Sequence, residues 1–251
     1  MPDMTTFALT ALLVVFGSIV SGLAGFGFGI AVMPFMLLLY PPKVAVAITP
    51  VISCLGLFIQ WTNVRKDADP VLARRLIIGS LCGIPLGGLI LVAISPVHLK
   101  LLIGVAVVVA ITVQLASRRT DGPPQQPSQW VALGGGLGAG LLASTVGQPG
   151  IPIGLLMAWT RLDKKTVRGT MVTFLVVTQV VTVINLFWQK VLTPPILWTG
   201  LLLMPFYLVG LSIGNRGFQV ASQGTYRRVL LGVLTISAIT GVVNGINALL
   251  S

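Results

Sequence analysis

Two glycine-rich stretches decide the fold of this chain. The first is Gly22-Leu23-Ala24-Gly25-Phe26-Gly27-Phe28-Gly29, and the second is Gly140-Leu141-Leu142-Ala143-Ser144-Thr145-Val146-Gly147-Gln148-Pro149-Gly150. Each stretch lies inside a long apolar region and is followed by a proline, Pro34 or Pro152. Glycine permits sharp turns, and a proline in the first turn of a helix costs little because that N–H has no intrahelical partner. Each stretch therefore predicts a break between two apolar helices.

The composition places these helices in a membrane. Of the 251 residues, 55% are hydrophobic and 8% are charged, and the mean hydropathy is +0.98. A soluble domain of this composition would lack a solvated surface. The formal charge of +11 does not indicate nucleic acid as a partner, since the basic residues lie in short loops between apolar segments, as is usual in membrane proteins. The expected surroundings are a lipid bilayer.

The chain is predicted to be an all-α polytopic membrane protein built from two repeats. A shift of 118 positions places Gly22 on Gly140, Gly29 on Gly147 and Pro34 on Pro152. Repeat 1 covers residues 1–116, with a broken-helix hairpin over 5–40 and transmembrane helices over 44–61, 76–95 and 99–116. A cytoplasmic linker over 117–129 follows. Repeat 2 covers residues 130–251, with a hairpin over 130–160 and transmembrane helices over 166–188, 195–213 and 229–250.

The basic residues predict how the repeats are oriented. If each hairpin returns to the side from which it enters, Lys43, Lys100 and Lys190 lie on one side of the membrane and all other lysines and arginines on the opposite side. If each long stretch crosses once instead, no such bias results. The positive-inside rule favours the first arrangement, with basic loops in the cytoplasm and both termini in the periplasm. The two repeats are then inverted, as in many secondary transporters, where rocking one half opens a central site to alternate sides.

The two glycine-rich turns are also the predicted binding site. Helix N-termini meeting at mid-membrane would present free N–H groups, which bind an anion without any buried lysine or arginine. Polar side chains in or near the turns are further candidates for the pathway: Thr49, Ser144, Thr145, Gln148 and Thr170. The alternative interpretation of such glycines is close helix packing, which we favour for Gly87 and Gly88.

The acidic residues argue against ion coupling and catalysis. All five are aspartates at the N-terminus or in predicted loops: Asp3, Asp67, Asp69, Asp121 and Asp163. No carboxylate relay for protons or sodium is therefore predicted. A nucleophile, a base and an orienting group are not grouped as an enzyme requires, and the first stretch lacks the strand–helix–strand context of a dinucleotide site. We predict no enzymatic activity, no cofactor and no metal site.

The paired glycine-rich turns, each followed by proline at the start of one half of the chain, resemble those of the TauE/SafE family of sulfite and organosulfonate exporters. The resemblance implies a multi-pass transporter of the bacterial inner membrane that carries small sulfur-containing or organic anions, such as sulfite or sulfoacetate. By position, the implied binding residues are Gly25, Gly27, Gly29 and Pro34 in the first turn and Gly147, Gly150 and Pro152 in the second. The second turn departs from the family pattern, because Ser144–Gly150 replaces a more continuous glycine run.

Direction follows from the membrane potential. An interior-negative membrane favours an anion leaving the cell by about 2.3 kcal/mol per charge per 100 mV, so export needs no coupling ion. The alternatives are an anion channel and a cation-coupled anion importer of the same fold; a membrane-embedded enzyme or an assembly scaffold is more distant. The expected partners are a small anionic substrate and the lipid bilayer. The sequence is also compatible with a homo-oligomer.

Overall fold

The computed structural model describes residues 3–116, 126–160 and 162–220, and all regular secondary structure in them is helical. The helices are α1 (Met4–Ala24), α2 (Phe28–Leu39), α3 (Pro42–Val64), α4 (Pro70–Ala93), α5 (Pro96–Ala116), α6 (Gln129–Val146), α7 (Gly150–Trp159), α8 (Lys164–Trp188) and α9 (Pro194–Val220), with a 3-10 turn at Arg65–Asp67. The predicted all-α class is confirmed. The predicted helix over 229–250 and most of the linker over 117–129 lie outside the described residues.

Several helices begin earlier than the apolar pattern predicts, because polar caps add a first turn. The Asp69 carboxylate accepts the N–H groups of Val71 and Leu72 at 3.0 and 2.9 Å, and α4 therefore begins at Pro70. Asp163 caps α8 in the same way. Side-chain oxygens at this position satisfy N–H groups that the helix itself cannot, but a hydropathy pattern does not detect them.

Five of the described helices are long and apolar enough to cross a bilayer: Met4–Leu23, Pro42–Asp67, Pro70–Ala93, Lys165–Trp188 and Pro194–Gly217. A crossing needs about 20 predominantly apolar residues. Helix α2, at 12 residues, and helix α7, at 10 residues, are too short to cross. The chain is therefore a polytopic membrane protein with short helices lodged between long ones.

Glycines bring two pairs of helices into close contact. On α4, Gly79, Gly83 and Gly87 each lie against a backbone carbonyl of α6. On α9, Gly210 and Gly214 lie against carbonyls of α1. In both pairs the contacted residue advances along one helix as the glycine advances along the other, so each pair is parallel. Small residues allow such close approach in membranes, and the packing interpretation of Gly87 is confirmed.

Helices α3 and α8 pack on each other with opposite directions. The side-chain amide of Gln179 on α8 donates to the Ser53 hydroxyl on α3 at 2.8 Å. Gly169, near the start of α8, lies 2.9 Å from the carbonyl of Val64 at the end of α3, measured from the position of a built Cβ. Helix α3 is the most buried of the five long helices. The α3–α8 pair therefore forms the interior against which the glycine-rich turns are placed.

Equivalent helix ends recur at a fixed distance in the sequence. A separation of 122 positions relates Ala24 to Val146, Phe28 to Gly150, and Pro42 to Lys164. The predicted shift of 118 placed Gly29 opposite Gly147, whereas the helix ends place Gly25 there. Each turn contains several glycines, so the glycine pattern alone could be aligned in more than one register. The separation of 122 is the one that matches backbone geometry.

Candidate functional site

The first turn, Gly25–Gly27, which we call tip 1, connects α1 to α2. Gly25 (φ +81°) and Gly27 (φ +99°) both adopt the left-handed conformation, which glycine enters at little steric cost. The Gly25 N–H donates to the Ser21 carbonyl at 2.7 Å and closes α1. Helix α2 then returns along α1, so that the Tyr40 hydroxyl lies 3.0 Å from that of Thr10. Tip 1 thus lies at the closed end of a pair of helices.

The second turn, Gly147–Pro149, which we call tip 2, connects α6 to α7. Gly147 is left-handed (φ +70°), and the Gln148 N–H donates to the Leu142 carbonyl at 3.1 Å. Pro149 precedes the first residue of α7. Helix α7 returns along α6, with Pro152 near Gly138. The left-handed residue of tip 2 therefore follows its long helix in the same way as Gly25 in tip 1.

Each tip touches the helix that begins after the other tip. A Cβ built on Gly29 would collide with the carbonyl oxygen of Gly147. In the other direction, the Phe26 ring of tip 1 lies 3.2 Å from the Cβ positions of Gly150 and Gly154 on α7. Gly29 is therefore required for this close approach, and a side chain at Gly150 or Gly154 would have to displace the Phe26 ring.

A cavity of about 30 Å³ lies where the tips meet α3, α8 and α9. Its lining residues are Ser21, Phe26, Gly27, Phe28, Gly29, Ile30, Ser53, Leu57, Gly147, Gln148, Pro149, Gly150, Leu175, Gln179 and Tyr207. A water molecule needs about 10–15 Å³ of such volume. The cavity therefore has room for about two waters.

Most polar side chains in the cavity are paired, and one is not. Gln179 donates to Ser53 at 2.8 Å, and the hydroxyls of Ser21 and Tyr207 lie 3.2 Å apart. Gln148 is 1% exposed, and neither its Nε2 nor its Oε1 has a hydrogen-bond partner. A buried amide without partners costs about 1–3 kcal/mol. Such a group is unusual in a native interior and needs an explanation.

The structure brings together five of the residues that the sequence indicates for the site. Those that line the cavity are Gly27, Gly29, Gly147, Gln148 and Gly150. Seven others lie outside its lining: Gly25, Pro34, Thr49, Ser144, Thr145, Pro152 and Thr170. The sequence-indicated residues that reach the cavity therefore lie in the two tips or in the first turns of the helices that follow them.

Three of the polar candidates outside the lining bond to backbone instead. Thr49 donates to the Ala45 carbonyl of its own helix at 2.7 Å, a common arrangement for threonine in helices. Thr145 donates to the Gly87 carbonyl at 2.9 Å, which links α6 to α4. The Thr170 hydroxyl accepts the Asp69 N–H at 2.9 Å, which fixes the loop before α4.

The remaining candidates outside the lining contact other helices. The Ser144 hydroxyl accepts from the Asn185 amide at 3.4 Å, and Pro152 packs near Gly138 of α6. Pro34 lies within α2 and not in its first turn, contrary to prediction, because α2 already begins at Phe28. Pro152 does fall in the first turn of α7.

Arg168 is a residue near the site that the sequence does not reveal. It lies in α8 and is half-buried, although the charge pattern assigns it to a solvated loop. Its Nη2 donates to the Gly22 carbonyl at 2.9 Å and to the Asn215 side chain at 2.6 Å. Its Cγ lies 2.8 Å from the Cβ position of Gly25. The guanidinium therefore joins the last turn of α1, next to tip 1, to α8 and α9.

Comparison with known proteins agrees with this architecture. The family model described as Sulfite exporter TauE/SafE matches residues 10–241. No curated protein and no solved structure matches the chain significantly. Because the family match covers nearly the whole chain, from α1 past the end of α9, this protein belongs to the TauE/SafE family, whose members are membrane transporters of the sulfite and sulfonate type and not enzymes.

Proposed function

We propose that this protein exports a small sulfonate anion across the bacterial inner membrane by alternating access, and that the anion binds where the two tips meet. The observation that carries the proposal is the Gln148 amide, which is buried in the cavity without a hydrogen-bond partner. An amide N–H₂ donates two hydrogen bonds. Sulfonate oxygens are strong acceptors for such donors because they carry charge.

Backbone donors add to Gln148. Phe28, Gly29 and Ile30 form the first turn of α2 and line the cavity, and Gly150 begins α7 on the opposite wall. The first N–H groups of a helix have no intrahelical partner, and the helix dipole places partial positive charge there. Two helix N-termini and one amide therefore supply an anion with donors without placing a full positive charge in the cavity lining.

The lining favours an organic sulfonate over bare sulfite. Three pairs of lining residues are 122 positions apart, and in each pair one side chain is polar and the other is apolar: Gln148 and Phe26, Ser53 and Leu175, and Gln179 and Leu57. Ser53 and Gln179 are bonded to each other, while Leu57 and Leu175 belong to one apolar cluster that Phe26 contacts. A ligand with a charged head and a short carbon tail would match both kinds of wall.

The closed cavity supports a carrier mechanism. Room for about two waters is too little for a sulfonate with its carbon chain, so the tips must separate before the anion binds. We propose that they do so alternately, through an inverted repeat. Support comes from the parallel pairing of α1 with α9 and of α6 with α4, together with the antiparallel α3–α8 pair. The second half then runs opposite to the first.

The orientation in this proposal follows the positive-inside rule. The ends of α3 and the starts of α4 and α8, with Arg65, Lys66 and Lys165, face the cytoplasm, and both termini face the periplasm. The interior-negative potential then drives an anion outward at about 2.3 kcal/mol per charge per 100 mV. Among the described residues no aspartate lines the cavity, which supports export without a coupled cation.

The test is efflux from proteoliposomes loaded with sulfoacetate, sulfite or acetate, first at zero potential and then with the interior negative. We expect saturable sulfoacetate efflux that accelerates with the potential, weaker sulfite efflux and little acetate efflux. Gln148→Leu should reduce sulfoacetate efflux about 10- to 100-fold, as loss of a hydrogen bond to a charged group implies. The matched control is Gln126→Leu, which changes an exposed glutamine bonded to Asp69 and should leave efflux unchanged.

Three outcomes would contradict this proposal. Unitary currents would indicate an anion channel. Flux that begins only when a sodium or proton gradient is applied would indicate a coupled importer. Unchanged efflux by Gln148→Leu would show that the anion binds elsewhere.

A further inference from the structure

Two buried polar side chains outside the cavity lack hydrogen-bond partners. Gln60 on α3 is 1% exposed and Thr182 on α8 is fully buried. The two polar atoms of the Gln60 amide have no hydrogen-bond partner, and the Thr182 hydroxyl has none either. Threonine within a helix usually donates to a carbonyl of the preceding turn, as Thr49 and Thr199 do here. The Thr173 hydroxyl of α8 also lacks a partner, but Thr173 is only half-buried, whereas Thr182 is fully buried.

Both residues continue the helix faces that line the cavity. Gln60 follows Ser53 by seven positions on α3, and Thr182 follows Leu175 by seven positions on α8, and positions seven apart lie on the same face of a helix. Ser53 and Leu175 both line the cavity. At about 1.5 Å per residue, each of the two polar groups lies about 10 Å along its helix from the cavity-lining residue.

The antiparallel packing places them on opposite sides of the cavity. Ser53 contacts Gln179 at the cavity, and Val64 contacts Gly169 at one end of the pair. Gln60 lies between these two contacts along α3. Thr182 lies beyond Gln179 on α8, in the other direction. The two residues are also separated by 122 positions, the same distance that relates the helix ends of the two halves.

We propose that Gln60 and Thr182 are relay positions for the transported anion, one between the cavity and the cytoplasm and the other between the cavity and the periplasm. This inference rests on the proposed function. When the protein opens to the cytoplasm, the Gln60 amide donates to the entering sulfonate. When it opens to the periplasm, the Thr182 hydroxyl donates to the leaving one. In the closed conformation both groups are covered, and this explains why they are buried without partners.

The test uses Gln60→Leu and Thr182→Val, which keep side-chain volume and remove the polar atoms. Because each change removes an unpaired buried group, both variants should fold with unchanged or raised thermal stability. Sulfoacetate transport is measured in right-side-out and inside-out membrane vesicles, so that each face is exposed in turn. Thr199→Val is the matched control, because that buried hydroxyl already donates to the Pro195 carbonyl of its own helix.

We expect Gln60→Leu to raise the half-saturating concentration at the cytoplasmic face about tenfold, the effect of one hydrogen bond to an anion. At zero potential the ratio of maximal rate to half-saturating concentration must be equal for the two faces. In Gln60→Leu the lower ratio therefore appears at the periplasmic face as a lower maximal rate, with little change in the half-saturating concentration. Thr182→Val should produce the opposite pattern.

The result that overturns the inference is equal behaviour at the two faces, or no change in either variant; no change would mean that Gln60 and Thr182 contact only water. Failure of the proposed function looks different, because the unaltered protein would then not transport sulfoacetate, or Gln148→Leu would transport it normally. A third pattern would reject the relay alone. In that pattern the unaltered protein transports sulfoacetate, Gln148→Leu does not, and Gln60→Leu behaves equally at the two faces.

Discussion

Tip 1 and tip 2 begin with the same backbone conformation and differ in the residues that follow it. Gly25 and Gly147 are both left-handed and are separated by the same 122 positions as the helix ends around them. The next residue is Phe26 in tip 1 and Gln148 in tip 2. The contrast teaches that both halves place a left-handed glycine at the same point of the turn, whereas only tip 2 follows it with a polar side chain.

The surroundings of the two glycines differ in the same way. Gly25 packs against Arg168 of α8, and Gly147 packs close to Val46 of α3, which is the residue 122 positions before Arg168. Arg168 donates one hydrogen bond to the Gly22 carbonyl in the last turn of α1 and one to the Asn215 side chain of α9, whereas the Val46 atoms nearest to Gly147 are its backbone Cα and carbonyl oxygen. Tip 1 is thus held in place by the arginine beside it, and tip 2 carries the unpaired amide that lines the cavity. The following predictions test that division.

The largest effect is expected where Gly29 of α2 touches Gly147 of tip 2. In Gly29→Ala the new methyl group collides with the Gly147 carbonyl and pushes tip 2 out of position. A displacement of about 1 Å in a binding site can cost about 100-fold in rate, and we expect sulfoacetate transport to fall by that order. The control is Gly134→Ala on α6, where nothing lies within 4 Å. That change should keep transport and stabilise the helix by about 1 kcal/mol.

Normal transport by Gly29→Ala would break the comparison at its base, because the tips would then not need to meet. Equal losses in Gly29→Ala and Gly134→Ala would point to a general sensitivity of helix glycines. The measurement in both variants is initial efflux rate per folded protein, with folding checked by thermal unfolding in detergent.

A smaller effect is expected from the anchor of tip 1. Arg168→Met removes two hydrogen bonds from a charged donor, each of which contributes about 1.5–3 kcal/mol. We expect a lower unfolding temperature and a looser tip 1, so that a cysteine introduced as Ser53→Cys reacts faster with a thiol reagent added from the cytoplasmic side. Arg168→Lys should restore part of the stability, because an ammonium keeps the charge but loses the planar donor geometry.

Reaction of that cysteine at an unchanged rate in Arg168→Met would mean that Arg168 supports the fold without holding tip 1 closed. The matching change on the other side is Val46→Ala. It removes fully buried apolar atoms from α3 and should lower stability without increasing reaction from the cytoplasmic side.

The sequence predicts the breaks in the helices well, because they depend on local residues. Gly25, Gly27 and Gly147 bend the chain through their own backbone freedom, and apolar runs on either side define the helices. The helix starts at Pro70 and Lys164 are less accurate, since aspartate caps determine them. The helix starts are also determined by local residues, the aspartate caps, but a hydropathy pattern alone does not detect them.

The contents of the site could not be predicted in the same way. The bond between Gln179 and Ser53 joins residues 126 positions apart, and that between Arg168 and Gly22 joins residues 146 positions apart. Residues near each partner in the sequence do not indicate either bond. Serine and glutamine, for example, are also common where they bond to their own helix. Thr49, Thr145 and Thr170 look equally suitable in the sequence and are occupied by backbone partners.

The smallest effects are expected from the shared feature, the left-handed glycines. Gly25→Ala and Gly147→Ala should each destabilise the protein by about 1–2 kcal/mol, the cost of placing a Cβ in that conformation. The nearest atoms are the Arg168 Cγ and the Met33 Cε, so in each variant one neighbouring side chain must also shift to admit the methyl group. Similar shifts in unfolding temperature are therefore expected, and they would establish the two turns as equivalent in stability.

Transport should separate the two variants. Gly147→Ala strains the residue next to Gln148 and shifts its amide, whereas Gly25→Ala strains a turn whose neighbouring side chain is apolar and whose position Arg168 maintains. We expect the greater loss of sulfoacetate efflux in Gly147→Ala, although the folding penalties are alike. The reverse order would assign the ligand-facing role to tip 1, and the anion would then depend on the backbone donors of α2 more than on the amide of tip 2.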